Sequence, residues 1–427
     1  MKKSEIQNPK SKIQRLGYGR TFFEFEFDPN RFDVLGGVED QRPLSDAEIG
    51  RRFDSPIDSK TVEEIVRPGE SVLLVVPDAT RRTASGQIVN LLVRRLIAAG
   101  VMPFDIRIIF ATGIHRKVTD DEKEELVTPF IAQRIKMLDH NPRDLATVVR
   151  LGETSGKIPV ELDRSLTEHD HTITVGGINF HYFAGFTGGR KMVCPGLASS
   201  RTVGETHRLA FDFEKRRRRA GVGPGLLDDN PVHEAFTEAV EKCPPSFSVN
   251  TIVNDRGQAV EVFAGDWRTS HRKACASYAA THTEKIEEKR DLIIVSCGGF
   301  PHDINMIQAH KALDAASKAS RDGGTIVLLA ECENGLGRKD FLDWFETENS
   351  AELAEKLCQS YQVNGQTAWA ILQKAEKFDV RIVTDLPEDV CGRMRLKKAS
   401  GLKDALSGID PQQTGYILPF GAKFLIT

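Results

Sequence analysis

The chain has 427 residues, 40% apolar and 28% charged, a globular balance in a length that exceeds one ordinary core, so two domains are expected. The 58 Lys plus Arg nearly cancel the 61 Asp plus Glu, for a net charge of −3, which argues against nucleic acid as the main partner. No apolar run approaches the roughly 18 residues of a membrane span, none follows Met1-Lys2-Lys3 as in a signal peptide, and the seven cysteines contain no C-x-x-C pair, so no membrane and a reducing cytoplasm are expected.

Residues 1 to about 12 read as a polar arm. Thr21–Phe27 alternates apolar and acidic residues and ends at Asp28-Pro29, as an edge or hairpin strand does. Ser71–Pro77 is a buried strand ending at Asp78. Ile88, Leu91, Leu92 and Leu96 recur at helical spacing over Gln87–Ala99, and Gly100 stops that helix. A second strand over Asp105–Ala111 completes a βαβ unit and makes the sheet parallel. A charged helical stretch covers Asp120–Lys136, and short strands follow at Thr172–Gly176 and Asn250–Val253. Thr281–Arg290 is a charged boundary and a candidate linking helix.

The second α/β pattern runs through strand Asp291–Ser296, a helix near Ile307–Ser320, strand Thr325–Ala330, a helix near Asp340–Phe345 and strand Val380–Thr384. Gly415–Thr427 is apolar and extended, a candidate to return to the first domain. The expected fold is therefore α/β, with two domains, each a mainly parallel sheet flanked by helices. Residues 1–280 would carry the chemistry and residues 281–427 would close a cleft between the domains. In open parallel sheets ligands sit outside the carboxyl ends of the strands, so the loops after Pro77, Ala111 and Val295 are the ones to inspect.

Four constellations stand out. Asp78-Ala79-Thr80-Arg81-Arg82 follows a buried strand; a guanidinium there can grip a carboxylate through two parallel hydrogen bonds, and Asp78 can orient an imidazole. The ordinary alternative is a helix cap beside solvated arginines. Ala111-Thr112-Gly113-Ile114-His115-Arg116 places a histidine, the usual acid–base group at neutral pH, at the end of the next strand. A lone loop histidine is more often an ordinary surface residue.

The densest segment is His181 to Gly196, with Thr187-Gly188-Gly189-Arg190-Lys191 at its centre and His207 beyond it. Glycines permit close backbone approach to a ligand. The Walker spacing fails, because Met192 stands where Ser or Thr belongs, so ATP hydrolysis is a poor reading. A lysine in such a loop can be a covalent attachment point, and His207 suits a soft metal. The alternative is a mobile glycine loop with a solvated Arg-Lys pair. The fourth segment runs from Ser296 to Lys311. Gly298 and Gly299 make a turn toward a helix whose start can hold an anion, and Gln308 and Lys311 share one helical face. The seven cysteines read as small buried hydrophobes, with Cys194 and Cys297 notable for lying in glycine-rich loops. The basic run Lys215–Arg219 reads as a solvated surface.

In this order the four segments resemble the nickel-pincer nucleotide-dependent lactate racemase family of 2-hydroxy acid racemases and epimerases. The resemblance runs from Asp78 to about Lys311. Its specific element is the His-x9-Lys-x15-His spacing of His181, Lys191 and His207. It implies that Lys191 carries a pyridinium-3-thioamide-5-thiocarboxylic acid mononucleotide, with Thr187, Gly188, Gly189, Gly298 and Gly299 as its surroundings. It implies nickel on that group with His207 as the protein ligand. His115 and His181 match the acid–base pair, Asp78 the supporting carboxylate, and Arg81, Lys311 and Gln308 the substrate-binding groups.

The implied reaction removes the Cα hydrogen as hydride while a histidine takes the hydroxyl proton, and return to the opposite face inverts the centre. Dedicated proteins that build the cofactor are implied as partners. The sequence departs from the family at Arg82, where proline is usual, and at Ile307, where an aromatic is common. Neither Trp344 nor Trp369 aligns to a late tryptophan of the family. Arg82 suggests a substrate larger or more acidic than lactate, such as malate, with its guanidinium on a second carboxylate. The residues by themselves leave open a metal-dependent hydrolase built on His115, His181 and His207, and a nucleotide-binding regulator.

Overall fold

A computed structural model describes residues 11–37 and 41–427. The polar arm expected at the start lies outside the described residues except for Ser11 and Lys12. The chain divides into two compact units, neither contiguous in sequence. One comprises Glu39–Asp212 and Arg218–Thr281. The other joins His282–Thr427 to Phe213–Arg217 and the beginning of the chain. No helix among the described residues is long and apolar enough to cross a membrane.

The first unit is organised by Val72–Pro77, a strand buried at every position. A continuous apolar run is what a strand covered on both faces requires. Its side chains alternate between two cores. Val72, Leu74 and Val76 pack with Ile88, Leu92 and Leu96 of the Ser85–Ala98 helix. Leu73 and Val75 face Val160, Leu162, Phe236 and Val240. The six-stranded sheet has the order Ala259–Gly265, Phe247–Val253, His171–Gly177, Val72–Pro77, Ile106–Ala111, Lys136–Asp139. Every neighbouring pair is parallel except the first. From Val72–Pro77 the chain steps outward through two strands, then returns to the opposite side at His171–Gly177. That reversal opens a crevice at the carboxyl ends of these strands, where ligands bind in such folds.

The second unit has its own six-stranded sheet, in the order Lys397–Ala399, Asp379–Val383, Ser320–Leu329, Arg290–Ser296, Gly415–Leu418, Phe32–Val34, with every neighbouring pair parallel. The closing stretch therefore enters the sheet of its own unit, between Arg290–Ser296 and Phe32–Val34. Its Tyr416, Ile417 and Leu418 are buried there. The Thr21–Phe27 strand forms the expected hairpin, paired antiparallel with Lys12–Tyr18. Two helical expectations change. The 281–290 segment holds the end of helix Thr269–His282 and a short strand, Thr283–Glu284, rather than a linking helix. Near Asp340–Phe345 only a 3-10 turn forms, over Leu342–Phe345.

Candidate active site

Pro77, Ala111 and Gly177, the ends of three adjacent parallel strands, line one cavity of ≈ 140 Å³. Asp78 follows Pro77 directly and is 5% exposed. Its Oδ1 accepts from the Thr80 amide at 3.0 Å and the Thr80 hydroxyl at 2.5 Å, and its Oδ2 lies 2.7 Å from His115 Nδ1. Burial pushes this carboxyl up, but the His115 charge and hydrogen bond, then Arg81, more than offset it and hold it well below the usual carboxylate range. An ionised Asp78 accepts a hydrogen bond from His115 Nδ1–H, which leaves Nε2 as the basic nitrogen of that ring.

The loop that delivers His115 depends on Gly113. Its φ is +54°, its amide donates to Gly196 O at 2.8 Å, and a Cβ would stand 3.3 Å from Pro195 O. Backbone approach this close, at a left-handed φ, favours glycine.

His181 lies on a small hairpin, Phe180–His181 paired with Gly185–Phe186, and is buried. Its Nδ1 accepts from the Ala184 amide at 3.2 Å. Nε2 is 3.3 Å from Lys191 Nζ. The lysine projects from the 3-10 turn Gly189–Met192, and Nζ stands 5.1 Å from the Phe236 ring centroid and 5.7 Å from that of Phe183. On the next helix, Ser200–Arg208, the His207 Nδ1–H donates to Val203 O at 2.7 Å. Burial, then the nearby Lys191 charge, push the His207 imidazole down to about 3. The ring is therefore neutral, with Nε2 as its basic nitrogen.

Asp78, Arg81, His115, His181, Lys191 and His207 all line this one cavity, as do Thr187 and Gly188. The Thr187 hydroxyl is committed to Gly177 O at 2.6 Å. Other expected site residues fall elsewhere. Gly189 is absent from the lining. Its amide donates to Asn250 Oδ1 at 2.9 Å, and a Cβ would sit 2.5 Å from the His271 ring, so this glycine serves packing. Arg82 is exposed, donates to Asp255 O at 3.2 Å and does not line the cavity.

Gly298, Gly299, Gln308 and Lys311 belong to the other unit. There a Cβ on Gly299 would meet Gly19 O at 2.7 Å, and one on Gly298 would meet Phe420 at 3.0 Å. These two glycines make room for their own unit's neighbouring backbone and side chains. The helix after them begins only at Met306, with Asn305 capping it by accepting from the Gln308 amide. Lys311 Nζ donates to Gln308 Oε1 at 2.5 Å. Cys194 and Cys297 are fully buried, and burial raises both thiols, Cys194 to about 12. Sequence reasoning missed the aromatic walls Phe183 and Phe236 around Lys191. It also missed Arg190, which is buried and ties the Lys191 turn to Ala184 O and Phe186 O.

The donor chemistry fits a nickel-pincer group on Lys191. His207 has what a soft metal needs from a protein ligand: a neutral ring, with Nδ1–H held by a backbone carbonyl so that Nε2 is oriented. Among the described residues no three His, Cys, Asp or Glu side chains are grouped as ligands of one ion. A site with three protein ligands, as a zinc hydrolase requires, is not formed by His115, His181 and His207.

Comparisons with known proteins agree with one another. The lactate racemase N-terminal domain family matches residues 18–219, and the lactate racemase C-terminal domain family matches residues 286–414. A lactate racemase of Lactiplantibacillus plantarum is 31% identical over 300 residues, covering 70% of this chain and 69% of that one. A lactate racemase of Thermoanaerobacterium thermosaccharolyticum is 28% identical over 347 residues, or 80% of each chain. Among solved structures, the lactate racemase apoprotein from the latter organism aligns with a TM-score of 0.87 at 23% identity, covering 97% of this chain and 100% of that one. A Thermotoga maritima protein aligns at 0.70 and 21% identity, over 92% of this chain and 100% of that one. This chain belongs to the lactate racemase family.

Proposed function

We propose that the protein is an isomerase that inverts the carbinol carbon of a 2-hydroxy acid, with a nickel-pincer nucleotide joined to Lys191 and its nickel on His207 Nε2. The observation that carries this reading is one cavity holding Lys191, a neutral His207 and the Asp78–His115 pair. When bound, the group supplies a reversible acceptor for the Cα hydrogen and its electron pair, which spares the enzyme an unfavourable deprotonation at carbon. The chain's own residues do the rest. Arg81 holds the substrate carboxylate through two parallel hydrogen bonds. His115 Nε2 takes the hydroxyl proton, and Asp78 stabilises the imidazolium that results.

The two histidines differ in readiness. His115 presents a basic Nε2 as it stands. His181 has its Nδ1 tied to the Ala184 amide and its Nε2 beside Lys191 Nζ, so it must leave one of these contacts before it can exchange a proton with substrate. Gln308 and Lys311 keep the substrate-binding role implied by the resemblance. A Lys311→Ala variant with unchanged KM would remove it.

The case for a diacid such as malate rests on Arg82. Its guanidinium is engaged with Asp255 O and lies outside the lining, so the geometry gives no support to a second carboxylate contact. Unchanged KM for malate in Arg82→Ala would discard that contact. The deciding experiment is intact-protein mass and metal content of material produced together with the proteins that build the cofactor. An adduct on Lys191 and about one nickel per chain are expected. Zinc without an adduct would overturn the reading. A chiral-chromatography screen of 2-hydroxy acids on the loaded enzyme then fixes the substrate.

A further inference from the structure

The turn Gly189–Met192 lies between two cavities of the same unit. Lys191 lines the one already described. Arg190 lines a second, of ≈ 420 Å³, together with Asp228, His233, Trp267, Arg268 and Arg272. That volume lies in the range of small-molecule sites.

Arg190 is 1% exposed, yet it makes no ion pair among the described residues. Its terminal nitrogens donate to the carbonyls of Phe186 at 3.1 Å and Ala184 at 2.6 Å, and one lies 2.9 Å from the His271 ring. Its Nε is buried without a hydrogen-bond partner. Burial, then the charge of Arg272, push this guanidinium down to about 10, so it remains a cation. A buried guanidinium without a counter-ion is costly.

The same cavity holds a second unsatisfied group. His233 is 8% exposed, and its Nδ1 is buried without a partner. Burial, then Arg190 and Arg272, hold this ring neutral, pushed down to about 3. The carboxylates nearby do not answer these groups. Asp228 pairs with Arg272 at 2.8 Å, and Glu238 accepts from the Ser155 amide and hydroxyl. Asp229 and Glu234 are exposed.

We propose that this cavity binds a small oxyanion, a carboxylate or a phosphate, with Arg190 and His233 meeting its oxygens. The anion would supply the counter-charge that Arg190 lacks and an acceptor for the neutral His233 ring with its proton on Nδ1. Because Arg190 and Lys191 are neighbours on one turn, an anion here would also brace the segment that carries Lys191. The site is independent of the racemase reading.

The test is calorimetric titration of the full chain with inorganic phosphate and, separately, with butyrate, alongside His233→Gln, Arg272→Ala and Arg81→Ala variants. Arg190 is left intact because it holds the Ala184 and Phe186 carbonyls. Circular dichroism checks that each variant is folded. Binding of either anion, weakened about tenfold or more by His233→Gln and Arg272→Ala and kept in Arg81→Ala, is expected, and the anion that binds names the head group. The proposal is overturned if neither anion binds. It is equally overturned if binding is lost with Arg81 and kept without His233, because the anion would then occupy the other cavity.

Discussion

Asp78→Asn tests the arrangement most directly. Asparagine has the shape of aspartate, so the strand end need not move. The Thr80 amide and hydroxyl both donate to Oδ1 and therefore keep an oxygen in that position, which puts the new NH₂ group against His115 Nδ1. Nδ1 must then accept, the ring proton moves to Nε2, and the basic nitrogen facing the substrate is lost. A charge-assisted hydrogen bond contributes about 1.5–3 kcal/mol. Asp78 is 5% exposed, so solvent screens its side little, although His115 is 45% exposed at the side chain. With the misplaced proton added, kcat/KM should fall about 10²–10³-fold, within the range of a lost general base.

If the substrates are enantiomers, their equilibrium constant is one, and kcat/KM must remain equal in the two directions in every variant. Both should fall together in Asp78→Asn, while kcat and KM can shift separately. Chiral chromatography of initial rates from each pure enantiomer, on enzyme matched for nickel content, reads this out. A loss smaller than about threefold, under roughly 0.7 kcal/mol, would refute the claim that Asp78 fixes the working tautomer of His115.

Three further outcomes follow from the same geometry. Lys191→Ala should fold normally by circular dichroism, carry no adduct by intact mass and show no racemisation. His207→Gln should keep the adduct and lose most of its nickel by elemental analysis. In the cofactor-free chain the same substitution should also alter acid stability: His207 is held near 3 when folded, against about 6.5 when unfolded. Between these values the unfolded chain binds one more proton, so the wild type loses about 1.4 kcal/mol per pH unit through this group as pH falls. Urea unfolding between about pH 4 and 6 should show a slope one proton smaller in the variant. Gly189→Ala puts a Cβ 2.5 Å from the His271 ring at a φ of +49°. It should cost about 2–4 kcal/mol of stability by urea unfolding, and a neutral result would contradict this packing.

The central strands were legible because their sequences are mainly apolar runs. Val72–Pro77, Ile106–Ala111 and Arg290–Ser296 each lie within a residue of where the pattern puts them. Their carboxyl ends then located Asp78, Arg81 and His115 without further information. The helix Thr269–His282 was not legible, because Ser270, Ala274, Ala276 and Ala280 leave no apolar stripe to read. The interleaved units could not be read either. Joining Phe32–Val34 to Gly415–Leu418 depends on a three-residue strand, too short to carry a period. The strand Lys12–Tyr18 carried no readable signal beyond the polar arm, because Lys12, Ile13 and Arg15 are exposed, a pattern that an edge hairpin shares with a loop.

The glycine-rich loop is the instructive case, because the sequence singles it out while the packing of its glycines is visible only in the structure. A phosphate-cradling loop presents unpaired backbone amides to an anion. Here the Gly189 amide is spent on Asn250 Oδ1 and the Lys191 amide on Gly188 O. Gly188 and Gly189 are required because Ile178 and His271 stand where their Cβ atoms would be, at 2.7 and 2.5 Å. The loop is thus packed from behind and offers side chains at its front. Lys191, His207 and Arg81 are among the side chains that line this cavity. In the proposed reading, a covalent bond at the lysine would supply the hold that the spent amides of 189 and 191 do not.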